Sequence, residues 1–133
     1  NDAWVVAMAD GLIVRTGDGQ VIQDLDGDGY EQTGWVIFYM HIESRDRVQE
    51  GKFIRAGERI GHASCEGGVS SGTHTHIARR YNGEWIPADR DIPFDIEGWI
   101  SEGSGGEYNG TLRRNGQTVE AWAERRPENQ IQR

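Results

Sequence analysis

Short apolar runs, cut every few residues by glycine, aspartate or asparagine, dominate the first two-thirds of the chain. Residues 4–9 are apolar and end at the turn pair Asp10-Gly11, after which Leu12-Ile13-Val14 predicts a second strand. Thr16-Gly17-Asp18-Gly19 turns the chain into a third strand that begins at Val21-Ile22. Residues 34–42, rich in aromatic and β-branched side chains, predict a central strand ending at His41. In residues 48–61 glycine recurs at spacings of six and four. Two glycines inside one helical span would cost about 1 kcal/mol each, so this stretch reads as a pair of short strands. Asn82-Gly83, between two strand-like runs, is a hairpin signal, and Asn115-Gly116 is a second one. Beyond Pro87 the pattern weakens. Phe94, Ile96, Trp99 and Ile100 predict one packed segment, residues 101–110 a loose glycine-rich stretch, and the last dozen residues a frayed polar tail.

Candidate chemistry sits on this strand pattern. Ser71-Gly72-Thr73-His74-Thr75-His76-Ile77-Ala78-Arg79 reads as a strand, so His74 and His76 fall on one face and Thr75 and Ile77 on the other. Paired imidazoles suit metal binding or proton transfer, and equally a pair of solvent-facing histidines. The small-residue loop 62–70 contains Gly67-Gly68, which would let the backbone approach a ligand. His62 and Cys65 could join His74 and His76 in a closed Cys/His zinc site, against a loop cysteine that binds nothing. The acidic loop Asp24-Leu25-Asp26-Gly27-Asp28-Gly29 has carboxylates at positions one, three and five of a calcium loop, glycine at six and the Tyr30 carbonyl at seven. Trp35 stands where the closing glutamate belongs, so a weak calcium site and a solvated acidic turn both remain open.

Composition narrows the partners. A length of 133 residues supports one hydrophobic core plus an irregular extension, and 19 glycines favour a β-rich fold. A net charge of −8 excludes a surface built for nucleic acid or anionic lipid. Cys65 is the single cysteine, so no internal disulfide can close, and no apolar run reaches membrane-spanning length. The chain begins Asn1-Asp2 without a methionine, which predicts a processed or trimmed product.

Four motifs in order carry a resemblance. Ala9-Asp10-Gly11-Leu12-Ile13-Val14, Tyr39-Met40-His41-Ile42, the glycine-spaced 48–61 stretch and Ser71-Gly72-Thr73-His74-Thr75-His76 resemble the lysostaphin-type zinc endopeptidases of cell-wall peptidoglycan. Arg80-Tyr81-Asn82-Gly83 fits a further turn of that family. The resemblance implies an all-β, mostly antiparallel fold of barrel–sandwich hybrid type over residues 1–100, with 101–133 as a C-terminal extension. It implies His76 as a zinc ligand and His41 and His74 as the proton-handling pair. It further implies a monomer in the extracellular space or cell envelope, acting on the peptide cross-links of peptidoglycan. The family draws its other two zinc ligands from an upstream His-x-x-x-Asp segment, and no histidine precedes His41 here. A peptidase and a non-catalytic wall- or partner-binding module are therefore both open. A lipoyl-carrier-like domain ranks below them, because Lys52, the one lysine, is not in such a motif.

Overall fold

Three two-residue turns set the antiparallel order of the molecule. At Asp18-Gly19, Asn82-Gly83 and Asn115-Gly116 both residues have positive φ, between +47° and +80°. That is the combination that matches the twist of the flanking strands and that aspartate, asparagine and glycine tolerate best. The computed structural model describes residues 2–122, 124 and 126–131. The tail expected over the last dozen residues lies partly outside them; within them Pro127–Asn129 forms one 3₁₀ turn.

The strands are β1 (Trp4–Val6), β2 (Gly11–Gly17), β3 (Gln20–Asp24), β4 (Trp35–Met40), β5 (Phe53–Ile54), β6 (Arg59–His62), β7 (His76–Tyr81), β8 (Glu84–Trp85), β9 (Asp95–Ile96), β10 (Trp99–Gly103), β11 (Gly110–Arg114) and β12 (Gln117–Glu120). They form a six-stranded sheet ordered β5-β2-β3-β4-β7-β8, a β1-β6 pair and a four-stranded sheet ordered β12-β11-β10-β9. Every strand pair is antiparallel. The fold is all-β, as the resemblance implies, though among the described residues no sheet closes into a barrel.

The chain divides into two compact units, Asn1–Ile86 and Pro87–Arg133. Strands β9 and β10 fall in the second unit. In that unit the stretch expected to be loose begins as strand: Ser101, Glu102 and Gly103 pair with Leu112, Thr111 and Gly110. The glycine-spaced 48–61 stretch does yield two short strands, but they do not pair with each other. β5 joins β2 and β6 joins β1, because the turn before Glu58 sends the chain to another sheet.

Strict alternation in the six-stranded sheet buries both of its faces. Ile13, Val21, Ile37 and Tyr39 pack on one side with Ala7, Ile42, Ile54 and Ile60. Their chain neighbours Ile22, Val36 and Phe38 pack on the other, with Val14 and Ala78. Each such side chain contributes about 1.5–3 kcal/mol when fully buried. The first core also holds a satisfied polar group. The Tyr39 hydroxyl donates to Gln23 Oε1 at 2.9 Å and accepts from the Met8 N–H at 2.9 Å, while Gln23 Nε2 donates to the Ala9 carbonyl at 2.7 Å. Burial pushes the Tyr39 phenol up to about 12.

Candidate active site

Strands β4 and β7 pair over their whole length, with Met40 opposite His76 and Tyr39 opposite Ile77. That register brings the His41 end of one strand to the histidine-bearing start of the other. The strand expected over residues 71–79 begins only at His76; His74 lies before it and makes an isolated bridge to Ser64. The small residues 70–73 leave the backbone ahead of His74 to turns closed by Ser70, whose hydroxyl donates to the Gly72 carbonyl at 2.7 Å. His74 and His76 are exposed, whereas His41 is buried.

The His41 and His74 rings stand 4.5 Å apart between centroids, tilted by 49°. His41 Nδ1 is 2.9 Å from the Glu66 carbonyl, and His74 Nδ1 is 2.8 Å from the Gly72 carbonyl. A carbonyl only accepts, so each Nδ1 carries a proton and donates, and the neutral tautomer compatible with that bond has its lone pair on Nε2. Two fixed tautomers with free Nε2 lone pairs can accept protons or bind a metal. Partial burial of the ring, and after it the charges of His41 and His74, lower the pKa of His76 below the ordinary histidine value. The neutral form that coordination or base chemistry requires is therefore favoured.

His41 itself has φ +64°, a conformation that non-glycine residues rarely adopt. The backbone is held there from several sides. Ser64 N and Oγ donate to the His41 carbonyl at 2.7 and 3.1 Å, and Ile42 N donates to the Gly19 carbonyl at 2.8 Å. The 62–70 loop supplies the rest. Glu66 accepts from Ser44 N, Ser44 Oγ and Arg47 Nη2, at 2.9, 3.1 and 2.7 Å. The bonds from Ser44, chiefly its N–H, and the Arg47 guanidinium hold the Glu66 carboxyl below the usual carboxylate range. Gly67 comes close to another backbone, where a Cβ would collide with the Asp18 carbonyl. Glu66, Ser44, Ser64 and Arg47 are supports that sequence reading missed, since nothing in their spacing marks them.

The Cys/His alternative does not form. His62 is turned away into the core, with Nδ1 3.1 Å from the Ala3 carbonyl, its ring 4.0 Å from that of Trp4, and Nε2 3.6 Å from Asp46. Cys65 is free and exposed. Among the described residues, the one group of three histidine, cysteine, aspartate or glutamate ligand atoms within 4.8 Å of one another is Asp24, Asp26 and Asp28. The three site histidines do not make such a group, so the described residues alone do not fit a zinc held by three protein ligands.

Comparison with known proteins places this geometry. A family model described as Peptidase family M23 matches residues 1–88. Among solved structures the chain is similar to "A Novel M23 Metalloprotease Pseudoalterin from Deep-sea", with TM-score 0.70 and 25% identity over 92% of this chain and 72% of that one. No curated protein matches. No helix among the described residues is long and apolar enough to cross a membrane. A family match over more than half its length and the structural likeness agree: the chain belongs to peptidase family M23, as a lysostaphin-type metallopeptidase domain.

Proposed function

We propose that this domain acts on the peptide cross-links of bacterial cell-wall peptidoglycan, in the extracellular space or cell envelope, as a monomer. The observation that carries the reading is the pairing of His41 with His74 at 4.5 Å, both with Nε2 free, beside His76 at the joined ends of β4 and β7. In this reading His41 and His74 hold and move protons at Nε2, and His76 is the ligand this stretch contributes to a zinc. Zinc bound in the family's manner supplies Lewis acidity and a water acidified toward neutral pH. The set described here does not complete its coordination, so no step is routed through it.

That same shortfall favours a second reading, a module that binds wall or a partner without cleaving. One comparison separates the two. The chain and a native version extended upstream by about thirty residues, enough for a short connection and a ligand motif, are assayed for zinc content and for release of cross-link peptides from purified sacculi. The chain alone is expected to be near inactive. The peptidase reading requires the extended form to bind one zinc and cleave. His76→Ala should then lose both metal and activity, and His74→Ala should keep the metal while losing most of the rate. An extended form that stays metal-free yet co-sediments with sacculi leaves the binding module; no co-sedimentation and no cleavage sinks the peptidoglycan target itself.

A further inference from the structure

The acidic loop between β3 and β4 is a donor cluster that the peptidase reading leaves unused. Asp24, Asp26 and Asp28 each present a carboxylate oxygen within 4.8 Å of the other two. Asp24 is the last residue of β3 and has 0% of its surface exposed. The Gly29 N–H donates to its Oδ2 at 2.8 Å, while its Oδ1 is buried without a hydrogen-bond partner. A buried, unpaired carboxylate oxygen is costly, and two more carboxylates beside it raise the cost. Burial above all, and then the neighbouring Asp26 and Asp28, push the Asp24 carboxyl above its ordinary range.

On the loop the Thr33 hydroxyl donates to Asp28 Oδ2 and holds that carboxyl below its ordinary range, but the buried Asp24 Oδ1 is left without a partner. Arg15 is already committed, its Nε and Nη2 donating to the two oxygens of Glu31 at 2.9 Å each. Backbone N–H groups hold the other two carboxylates. Asp28 N donates to Asp26 Oδ1 at 3.1 Å and Tyr30 N to Asp28 Oδ1 at 2.8 Å. Gly34, at φ +65°, leaves room for Asp26, whose Oδ2 occupies the space that a Cβ would need.

We propose that Asp24, Asp26 and Asp28 bind a hard divalent cation, calcium, with the unpartnered Asp24 Oδ1 as its buried ligand. An all-oxygen donor set at loop positions one, three and five, with glycine at six, suits calcium's flexible coordination better than magnesium's strict octahedron. Tyr30 stands at position seven, where a backbone carbonyl is the usual ligand. Trp35 at position twelve cannot close the site, and Glu31 is taken by Arg15, so water must complete it. Such an open site places the dissociation constant at roughly 10⁻⁴–10⁻³ M. The cation would pin the end of the β3–β4 hairpin, just beyond the Leu25 N–H to Trp35 carbonyl bond at 3.0 Å. The inference is independent of the peptidase reading.

The test uses the full chain stripped of metal. Terbium chloride is titrated in while Tyr30 and Trp35 are excited, calcium chloride is added in competition, and Tm is measured in EDTA, in 10 mM magnesium chloride and in 10 mM calcium chloride. We expect sensitised emission that calcium displaces, and a Tm raised by calcium more than by magnesium. Asp26→Asn and Asp28→Asn, both at exposed positions, should keep the EDTA fold and weaken binding by at least about tenfold, since each removes one of three charged ligands. Glu31→Gln should leave binding unchanged. Absence of sensitised emission, emission equally strong in Asp26→Asn and Asp28→Asn, or a Tm indifferent to calcium would overturn the assignment.

Discussion

The β3–β4 ladder carries a donor cluster at each end, and the two are built on opposite terms. At one end Gln20 faces Met40, and the chain runs directly into His41; at the other Asp24 faces Val36 across the mouth of the acidic loop. The histidine end spends one nitrogen of each paired ring on a carbonyl, which fixes the tautomer and aims the other nitrogen outward. The acidic end spends one oxygen of Asp24 on a backbone N–H and leaves the other with nothing. Three imidazoles near one another do not make a three-ligand set, whereas three carboxylates do. Which atoms remain unpaired after the backbone has been satisfied says more about a site than the spacing of its residues.

The sharpest way to break this comparison is to remove what both ends share. Tyr39 lies on β4 between them, fully buried, and ties Gln23 on β3 to the Met8 N–H. Tyr39→Ala should cost about 3–5 kcal/mol, the range for deleting a buried aromatic ring. Chemical unfolding should register that loss, and terbium emission from the acidic loop should fall with it. Tyr39→Phe keeps the ring but strands the Gln23 oxygen and the Met8 N–H, so a cost of about 1–3 kcal/mol is expected. A Tyr39→Phe protein as stable as the parent would mean that the network holds neither end.

Strain distinguishes the histidine end. The φ of +64° at His41 costs about 1–3 kcal/mol for a residue with a Cβ and nearly nothing for glycine. His41→Gly should therefore be more stable than His41→Ala by about 1 kcal/mol, although both lose the imidazole. The order would reverse if the bonds from Ser64 to the His41 carbonyl and from Ile42 to the Gly19 carbonyl did not impose that conformation.

The acidic end stores its cost as charge. Asp24→Asn keeps an oxygen for the Gly29 N–H and replaces the orphaned oxygen with a donor facing two carboxylates. In EDTA at pH 7 this variant should melt a few degrees above the parent, the shift expected from about 1 kcal/mol. The sign follows from linkage. A carboxyl whose folded pKa is raised contributes its stability below the unfolded value, near 3.8, and loses it as pH rises through the folded value. Saturating calcium should remove the advantage of the variant or reverse it.

Much of this was legible in the sequence, and for identifiable reasons. The Asp18-Gly19, Asn82-Gly83 and Asn115-Gly116 turns were readable because few residue pairs accept two positive φ values in succession. The 34–42 strand was readable because β-branched and aromatic side chains fill both faces of a buried sheet. His41 and His74 come together because the β4–β7 pairing sets Met40 opposite His76 and the bridge from Ser64 holds His74 just before it. What sequence could not give depends on distant partners. Two strands from 48–61 were predictable, but their separation into different sheets depends on β1 and β2. The role of Glu66 rests on Arg47 and Ser44, 19 and 22 positions away. The orphaned oxygen of Asp24 is visible only when the sheet that buries it is in place.

The smallest effect concerns whether the three imidazoles behave as one electrostatic group in the metal-free chain. Partial burial of the ring, then His41 and His74, lower the folded pKa of His76 beneath the unfolded value near 6.5. Between those two values the unfolded chain binds more protons than the folded one, so stability rises with pH across that window. The contribution is intact above 6.5 and is lost as pH falls from there toward the folded value. Because His76 is an exposed residue at a strand end, solvent screening should hold the effect to about a degree in Tm. His76→Gln does not titrate, so the parent should lose ground to it between pH 7.5 and 5.5. Imidazole proton shifts followed by NMR give the direct reading. His76 should titrate below 6.5, and His74→Gln should move it upward by removing a like charge. A His76 that titrates at 6.5 or above, unmoved by His74→Gln, would mean that the histidines are neighbours without coupling, and the contrast between the two ends of the ladder would then rest on the acidic end alone.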